Sequence, residues 1–199
     1  MQHTIYQHRP LIEVWDDVFS SQECEDFIAL SHRYSYETAM ISISRSQAEV
    51  RLDVRNNQRV IYDDEVLAEK LFMRLAALLP QRLHGWDVAG LNERFRFYRY
   101  ESGQTFRPHY DASYEKTDWH SSQLSLLIYL SDEFTGGETI FYNDSGMRKP
   151  CVETQIACIK PKQGQVLIFE HQQLHEGVPV LTGQKYVLRT DVMYRYPVG

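Results

Sequence analysis

Two residues whose types could bind a metal ion lie two apart in the chain, within Pro-His-Tyr-Asp at residues 108–111. A β-strand directs residues two apart to the same side, so His109 and Asp111 can point together. An imidazole and a carboxylate on one face supply two ligands of a 2-His-1-carboxylate triad, which leaves positions on Fe(II) open for a co-substrate and O2. The third ligand must come from a distant strand. His175, within Gln-Leu-His-Glu-Gly, is the candidate.

A structural interpretation of the same residues competes with this one. The chain has 8 histidines, so one His-x-Asp pair arises easily by chance. His109 would then be a satisfied core histidine, and Asp111 a turn residue before Ala112-Ser113. His171, four residues before His175, is a rival third ligand, although the turn around it fits that role less well. The residues that accompany the triad decide between the interpretations.

A cation and a phenol accompany the proposed ligands at suggestive spacings. Lys185 follows His175 by ten residues and shares one face of the last predicted strand with Arg189. A cation there can pair with the distal carboxylate of a dicarboxylic co-substrate that the metal chelates. A buried cation otherwise needs an acidic partner. Tyr100, nine residues before the His-x-Asp pair, can donate its hydroxyl to the same carboxylate, or it is an ordinary strand aromatic among 13 tyrosines.

The elements that must position these residues are predicted mainly as strands. From about residue 91, short alternating, aromatic and β-branched runs are separated by Gly, Pro, Asp and Asn. They predict strands at 93–100, 105–110, 123–131, 138–142, 155–160, 165–170, 174–179 and 185–195. Earlier runs at 11–15, 38–44 and 50–54 predict further strands.

Two helices are predicted before this region. Ser20 and Glu23 form a capping-box pattern that begins a helix ending near Arg33. The second helix begins after Asp63 or Asp64, and Pro80 ends its apolar stripe. Strands that follow two helices favour a mostly β fold with flanking helices: a β-sandwich or a jelly roll. The latter is a double-stranded β-helix or cupin-like barrel, braced by the N-terminal α-helices.

Length and composition fit one domain. The 199 residues are 43% hydrophobic, enough for a core. We expect a single domain over 1–199, with N-terminal strands and supporting helices in 1–90 and a jelly-roll catalytic core in 91–199. The formal charge of −6 argues against a nucleic-acid partner, although an acidic protein can still hold a local basic groove.

Cysteine usage and hydropathy bear on location. Cys24, Cys151 and Cys158 are odd in number and contain no Cys-x-x-Cys pair, which favours a reducing, cytoplasmic setting. Residues 1–10 lack the apolar core of a secretory signal, and no apolar run is long enough to span a membrane. The sequence does not predict an oligomeric state.

Several motifs in the same order carry a family resemblance. The segment from Tyr100 to Asp111, Tyr-Glu-Ser-Gly-Gln-Thr-Phe-Arg-Pro-His-Tyr-Asp, resembles the catalytic domain of the prolyl 4-hydroxylase family. So do Leu-Leu-Ile-Tyr-Leu-Ser at 126–131, Gly-Gly-Glu-Thr at 136–139, Gly-Gln-Val-Leu-Ile-Phe at 164–169, His-Glu-Gly-Val-Pro-Val at 175–180 and Gly-Gln-Lys at 183–185. The resemblance covers roughly residues 91–196.

The resemblance implies an Fe(II)- and 2-oxoglutarate-dependent dioxygenase that uses O2, with room for ascorbate as a reductant. It assigns Fe(II) to His109, Asp111 and His175, and the distal carboxylate of 2-oxoglutarate to Lys185 and Tyr100. The implied reaction is hydroxylation of an unactivated C–H of a prolyl or other residue in a peptide or protein, with release of succinate and CO2. Arg189 is not a usual family residue, and it is expected to hold either the other end of 2-oxoglutarate or the substrate.

Substrate contacts are predicted from alternation and from loops. If Tyr100 faces the interior, Tyr98, Arg96 and Arg94 share its face. Arg96 and Tyr98 are substrate candidates, whereas Arg94 is equally well explained as a solvated residue. Two polar loops are candidate lids, each with the alternative of an ordinary solvated loop. They are Arg55–Arg59, with Asn57 and Arg59 as candidates, and Ala112–Ser122, with Trp119.

Three other functions compete with peptide hydroxylation. A hydroxylase of a free amino acid or small metabolite would share its chemistry. A nucleic-acid alkyl demethylase would share Tyr-x-x-Gly-x5-His-x-Asp and a late Arg-x5-Arg, which Arg189 and Arg195 satisfy. Against the demethylase stand Tyr98, where those enzymes have Asn, the spacing of Lys185, and the acidity of the chain. A non-catalytic ligand-binding jelly roll would not need an intact triad and cation.

Overall fold

The computed structural model describes residues 2–44, 47–143 and 152–197. In this part of the chain the fold is mostly β, as predicted, with α-helices at Ser21–Ser31 (α1) and Glu65–Leu75 (α2) and 3-10 turns at Ala76–Leu78 and Val152–Thr154. None of the helices in these ranges is both long and apolar enough to span a membrane. Cys151 lies outside the described residues.

The strands are numbered in chain order. They are β1 (His3–His8), β2 (Leu11–Trp15), β3 (Glu37–Thr38), β4 (Ile41–Ser44), β5 (Gln47–Glu49), β6 (Gln58–Asp63), β7 (Arg82–Leu83), β8 (Trp86–Leu91), β9 (Arg94–Tyr100), β10 (Phe106–His109), β11 (Glu115–Thr117), β12 (His120–Tyr129), β13 (Phe134–Gly136), β14 (Thr139–Tyr142), β15 (Gln155–Ile159), β16 (Val166–Glu170), β17 (His175–Gly177), β18 (Val180–Gly183) and β19 (Lys185–Arg195).

Both helices begin where the sequence places their caps. The Ser20 hydroxyl accepts from the backbone N–H of Glu23, whose carboxylate accepts from the Ser20 N–H, so two N–H groups of the first turn are satisfied. Asp64 caps α2 by accepting from the Leu67 N–H at 2.8 Å. The buried residues of α2 (Ala68, Leu71 and Leu75) join the apolar core that covers one side of the main sheet.

Eleven strands form the main sheet, in which β1, β2, β16, β12, β19, β9, β6 and β3 follow one another, while β8 pairs with β19. The N-terminal strand β2 therefore pairs directly with β16 of the C-terminal half, and β6 pairs with β9. A second sheet has the order β10-β17-β14-β15. A second apolar cluster, which includes Tyr129, Phe141 and Phe169, is formed by residues of both sheets.

The structure changes the boundaries of the N-terminal half. Residues 50–54, predicted as a strand, form turns, and the pairing strand is β6, which includes Arg59 of the predicted polar loop. Val60, the buried residue of β6, supplies apolar area to the core, whereas the 50–54 segment exposes Val50 and Leu52. Strands β1, β7 and β8 were not predicted, because their residues are exposed or half-buried, with the exception of Leu91, and so give little hydrophobic signal.

Candidate functional site

Three side chains, from two neighbouring strands and the segment that follows one of them, meet at one end of a cavity between the sheets. Strand β10 pairs antiparallel with β17, and the pairing places His109 directly opposite His175. Asp111 follows β10, where its backbone N–H donates to the carbonyl of His171 at 3.0 Å. The two histidines are 66 residues apart in the chain, and the pairing of β10 with β17 brings them side by side.

The three ligand candidates form a compact cluster, with one possible ligand atom from each residue lying within 4.8 Å of the others. The Nε2 of His109 lies 3.8 Å from Oδ1 of Asp111, and the Nε2 of His175 lies 3.7 Å from Oδ2. The side chains are 16%, 5% and 7% exposed for His109, Asp111 and His175. No other such cluster of His, Cys, Asp or Glu is found among the described residues.

Each histidine is oriented through its second ring nitrogen. The Nδ1 of His109 lies 2.8 Å from the carbonyl oxygen of Arg107, and the Nδ1 of His175 lies 2.9 Å from that of Gln173. A carbonyl only accepts, so Nδ1 carries the proton and Nε2 presents its lone pair to the cluster, as metal-binding histidines do. Burial lowers the pKa of both imidazoles, which favours the neutral form that binds a metal.

Asp111 is held as a buried carboxylate by one cation and a hydroxyl. Burial alone would raise the pKa of Asp111, but Arg189 and the two histidines bring it well below its usual value. Arg189 Nη1 lies 2.9 Å from Oδ1, and the hydroxyl of Ser125 donates to Oδ2 at 2.5 Å. An ionised, oriented carboxylate beside two neutral imidazoles is the donor set that suits Fe(II). The residues present therefore fit this metal.

The other end of the cavity contains an unpaired cation. Lys185 is 4% exposed and faces Tyr100 in the register of β19 and β9. Its ammonium donates to the carbonyl of Gly137 at 2.6 Å, and no carboxylate lies within ion-pair distance of it among the described residues. Burial lowers the pKa of Lys185 to about 7, against a smaller effect of Glu138 that raises it. A carboxylate from a ligand would restore the charge of this ammonium.

The predicted face of β19 is the cavity wall. Lys185 and Arg189 line the cavity, with Tyr98 and Tyr100 beside them from β9. The guanidinium of Arg189 is already paired with two carboxylates of the protein, that of Asp111 and, at 3.1 Å, that of Asp191. Its predicted contact with 2-oxoglutarate or substrate stays a prediction.

The substrate candidates are divided between the wall of the cavity and the surface. Arg96 is opposite Arg189 in the sheet but does not line the cavity, and it pairs with Asp191 at 3.2 Å. Arg94, on the surface, pairs with Asp63. Asn57 is fully buried and accepts from Nε of Arg55 at 2.6 Å, and Arg59 is paired in register with Tyr98 across β6 and β9. Tyr98 itself lines the cavity.

Trp119 and His171 lie outside the cluster. Trp119 is 56% exposed and packs near Tyr196, beyond the cavity lining, so the structure does not bring it to the other candidates. His171 is buried, but its ring nitrogens bond to Ser122 at 2.8 Å and Ser125 at 3.0 Å. It therefore supports the serine that bonds to Asp111 and is not a member of the ligand cluster.

Sequence reasoning missed three residues of the site. Asp191 continues the alternation of Lys185 and Arg189 on β19, so that pattern could have identified the partner of Arg189. Ser125 lies opposite Asp191 in the sheet, but a serine in a hydrophobic strand carries no signal of its own. Arg55 was noticed only as part of a polar loop, and its 4% exposure was not foreseeable from that composition.

A family model matches the part of the chain that contains this site. Residues 95–190 match the model described as the 2OG-Fe(II) oxygenase superfamily. The match begins in β9 and ends in β19, so it contains the three ligand candidates and Lys185.

Curated relatives are plant proteins. The chain is 24% identical to the probable prolyl 4-hydroxylase 7 of Arabidopsis thaliana, over 89% of this chain and 60% of the relative. It is 34% identical to the probable prolyl 4-hydroxylase 9 of the same plant, over 56% of this chain and 42% of the relative. The chain thus spans about half of the length of these first two relatives.

Solved structures share the fold. A viral collagen prolyl hydroxylase from Paramecium Bursaria Chlorella virus-1 superimposes with a TM-score of 0.62 at 22% identity, covering 92% of this chain and 95% of that one. A prolyl hydroxylase from Trichoplax adhaerens, in complex with a hypoxia inducible factor peptide fragment, gives 0.66 at 16% identity, covering 93% and 83%. These likenesses show the fold.

Proposed function

We propose that this chain, which matches the model of the 2OG-Fe(II) oxygenase superfamily over residues 95–190, is an Fe(II)- and 2-oxoglutarate-dependent dioxygenase. Its proposed reaction is hydroxylation of an unactivated C–H of a prolyl or other residue in a peptide or protein. The observation that carries the proposal is the buried cluster of His109, Asp111 and His175, with the lone ammonium of Lys185 along the same cavity.

The residues divide the work of such a centre in a simple way. When bound, Fe(II) with 2-oxoglutarate and O2 supplies the oxidising chemistry, with succinate and CO2 as products. His109, Asp111 and His175 would hold the metal through Nε2 atoms and a carboxylate. Lys185, helped by the Tyr100 hydroxyl, would bind the distal carboxylate of 2-oxoglutarate and so orient that molecule along the cavity.

The contacts around the ligands keep this geometry. The carbonyls of Arg107 and Gln173 fix the two imidazole tautomers, and Ser125 and Arg189 fix the carboxylate of Asp111. Aromatic side chains exclude water from the ligands, since Phe106 stacks on the ring of His109 at 3.4 Å between centroids. A dry, fixed site of this kind favours reaction over loss of the oxidising equivalent to solvent.

The peptide substrate is supported by the relatives. The Trichoplax adhaerens enzyme is described in complex with a peptide fragment, and the curated relatives are named prolyl 4-hydroxylases. A free amino acid or small metabolite remains the second candidate, because the cavity is lined by cations that can bind a small acid. A nucleic-acid substrate is disfavoured by the net charge of −6.

The finer features of the fold and its location belong to the same proposal. The cavity lies between β9, β12 and β19 of one sheet and β10, β14 and β17 of the other, which supports a jelly roll braced by α1 and α2. The pairing of β2 with β16 supports a single domain over 1–199. A cytoplasmic location stays a prediction from cysteine usage.

Fe(II)-dependent formation of succinate from 2-oxoglutarate tests the proposal. The purified chain is incubated with 2-oxoglutarate, ascorbate and air, with Fe(II) or with a chelator, and succinate is quantified. We expect succinate to form in the Fe(II) arm and not in the chelator arm, and to form faster when proline-containing peptides are added. Equal succinate in the chelator arm, or none in either arm, contradicts the assignment as a dioxygenase.

A further inference from the structure

Beside the cavity wall lie two arginines that have no carboxylate within ion-pair distance among the described residues, although Glu37 is opposite Arg59 in the pairing of β3 with β6. Arg55 is 4% exposed, and its Nη2 has no hydrogen-bond partner in the described part of the chain. Its Nε donates to Asn57, a neutral acceptor. Arg59, half-buried, donates to the carbonyl of Met40 at 3.4 Å. Buried guanidinium groups normally pair with acids, because an unpaired charge is expensive to desolvate.

Both arginines lie against the aromatic wall of the cavity. The guanidinium of Arg55 lies 4.4 Å from the ring centroid of Tyr98 and 4.2 Å from that of Phe106, and both rings line the cavity. Phe106 stacks on His109, so Arg55 is separated from a metal-ligand candidate by one ring. Arg59 is opposite Tyr98 in the pairing of β6 with β9. The two cations thus flank Tyr98.

The pKa of Tyr98 reflects the positive charge of the arginines around it. Burial alone would raise the pKa of Tyr98, yet Arg55, Arg189 and Arg96 lower it to about 8. By contrast, burial raises the pKa of Tyr100, two residues along the same strand, to about 12. Arg55 also acts to lower the pKa of Tyr100, but it does not offset burial there, so the cations have their larger effect at Tyr98.

The acidic groups around the cavity pair with other cations and do not neutralise these two arginines. Arg189 and Arg96 share Asp191, and Arg189 also pairs with Asp111. Under the proposed function, Lys185 receives the distal carboxylate of 2-oxoglutarate, and the other carboxylate of that molecule offsets one of the two charges of Fe(II). Neither arginine is neutralised by these assignments, and no carboxylate among the described residues lies within ion-pair distance of Arg55 or Arg59.

We propose that Arg55 and Arg59 form a binding site for a carboxylate of the prime substrate, so that the hydroxylated C–H belongs to a molecule with an acidic group close to it. This inference rests on the proposed function and adds the substrate class. The carboxylate has two possible sources with the same chemistry: an acidic side chain beside the hydroxylated residue, or the free α-carboxylate of an amino acid.

Matched acidic and neutral substrates test the site. Succinate formation is measured with acetyl-Gly-Pro-Asp-Gly-amide against its Asn twin, and with L-proline against L-prolinamide. In at least one pair, a KM lower by roughly tenfold or more is expected for the acid, as for loss of one charge-assisted hydrogen bond. The pair that shows the difference identifies the source of the carboxylate.

Variants then connect the preference to the two arginines. Arg55→Met and Arg59→Met are each expected to reduce the acid preference several-fold, with the KM for 2-oxoglutarate changed less than about twofold. Arg94→Met is the matched control, because Arg94 lies on the adjacent strand but pairs with the exposed Asp63. Arg55→Lys, which keeps the charge, should retain part of the preference, and it replaces Arg55→Met if that variant does not fold.

The outcomes separate this inference from the proposed function. Equal KM values within both pairs, or a preference that survives both arginine variants, overturns the carboxylate site. A tenfold rise in the KM for 2-oxoglutarate also overturns it, since the arginines would then serve the co-substrate. If no succinate forms under any condition, the proposed function fails, and calorimetry of the same four compounds on Mn(II)-loaded protein decides the site. Acids that bind no better than their neutral twins then refute it.

Discussion

The two ends of the cavity contain buried charges that are balanced in different ways. At the histidine end, Arg189 lies between Asp111 and Asp191, so the carboxylate of the ligand cluster is held by an ion pair within the protein. At the other end, Lys185 donates to the carbonyl of Gly137 and lies over the rings of Tyr100 and Tyr129, with no carboxylate within ion-pair distance among the described residues. A cation with protein acids around it stabilises the fold and orients neighbours, whereas a cation without them indicates a position that a ligand occupies. The variants below separate these two roles.

The largest effect is expected at the ligand cluster itself. His175→Ala removes one of three proposed metal ligands and should lower Fe(II)-dependent succinate formation by more than about 100-fold, beyond the cost of losing an outer contact. Binding of Mn(II), followed by electron paramagnetic resonance, should weaken in parallel.

His171→Ala is the matched control for that change. It removes a buried imidazole from the connection that leads from β16 to β17, but one that bonds to Ser122 and Ser125 outside the cluster. Retained Mn(II) binding in this variant, with its loss in His175→Ala, supports the assignment. Equal losses in the two variants would show that a cavity left by the missing side chain, not a missing ligand, is responsible.

The paired end should respond through stability. Arg189→Met leaves Asp111 and Asp191 buried without their shared cation, and such broken pairs cost about 3–5 kcal/mol of unfolding free energy. Urea unfolding monitored by circular dichroism measures this loss. The exposed pair broken by Arg94→Met should cost at most about 1 kcal/mol. A loss below about 1 kcal/mol for Arg189→Met would contradict its role in the network.

The unpaired end should respond through affinity. Lys185→Met removes the proposed partner of the distal carboxylate, and loss of a charged hydrogen bond of roughly 1.5–3 kcal/mol raises the Kd for 2-oxoglutarate about 10- to 150-fold. The unfolding free energy should not fall, because a buried unpaired ammonium is itself unfavourable.

Lys162→Met, which changes an exposed lysine 60% accessible to solvent, is the control for lysine removal in general. Calorimetric titration of 2-oxoglutarate into Mn(II)-loaded protein gives the Kd of each variant. An unchanged Kd in Lys185→Met would place the anchor of the co-substrate elsewhere.

The same contrast explains what the sequence could and could not predict. His109, Asp111 and Lys185 were identifiable because strand alternation and motif spacing are local properties of the chain. The partner of Arg189 was within reach, since Asp191 continues the same alternation. The unpaired state of Arg55 was not, because it depends on which side chains β6, β9 and β10 bring together. The prediction for Trp119 failed for the same reason, because the position of a residue in a loop does not determine which side chains it packs against.

The smallest expected effect is the pH dependence of the unpaired end. The pKa of Lys185 is about 7 in the folded protein, against 10.5 as its ordinary value, so the unfolded chain binds more protons between these limits. Below about pH 7, the charged and buried Lys185 therefore lowers the free energy of unfolding by its full amount. This loss of stability disappears as the pH rises towards 10.5.

The affinity for 2-oxoglutarate should change in the opposite direction. Above about pH 7 the ammonium of Lys185 must take up a proton before it can pair with a carboxylate, so the Kd is expected to rise by up to about tenfold per pH unit. Calorimetry of Mn(II)-loaded protein at pH 6.5, 7.5 and 8.5 measures this change, and Lys185→Arg, whose charge persists throughout, should flatten it. A Kd that rises equally in Lys185→Arg would assign the pH dependence to another group and would remove the distinction between the two ends of the cavity.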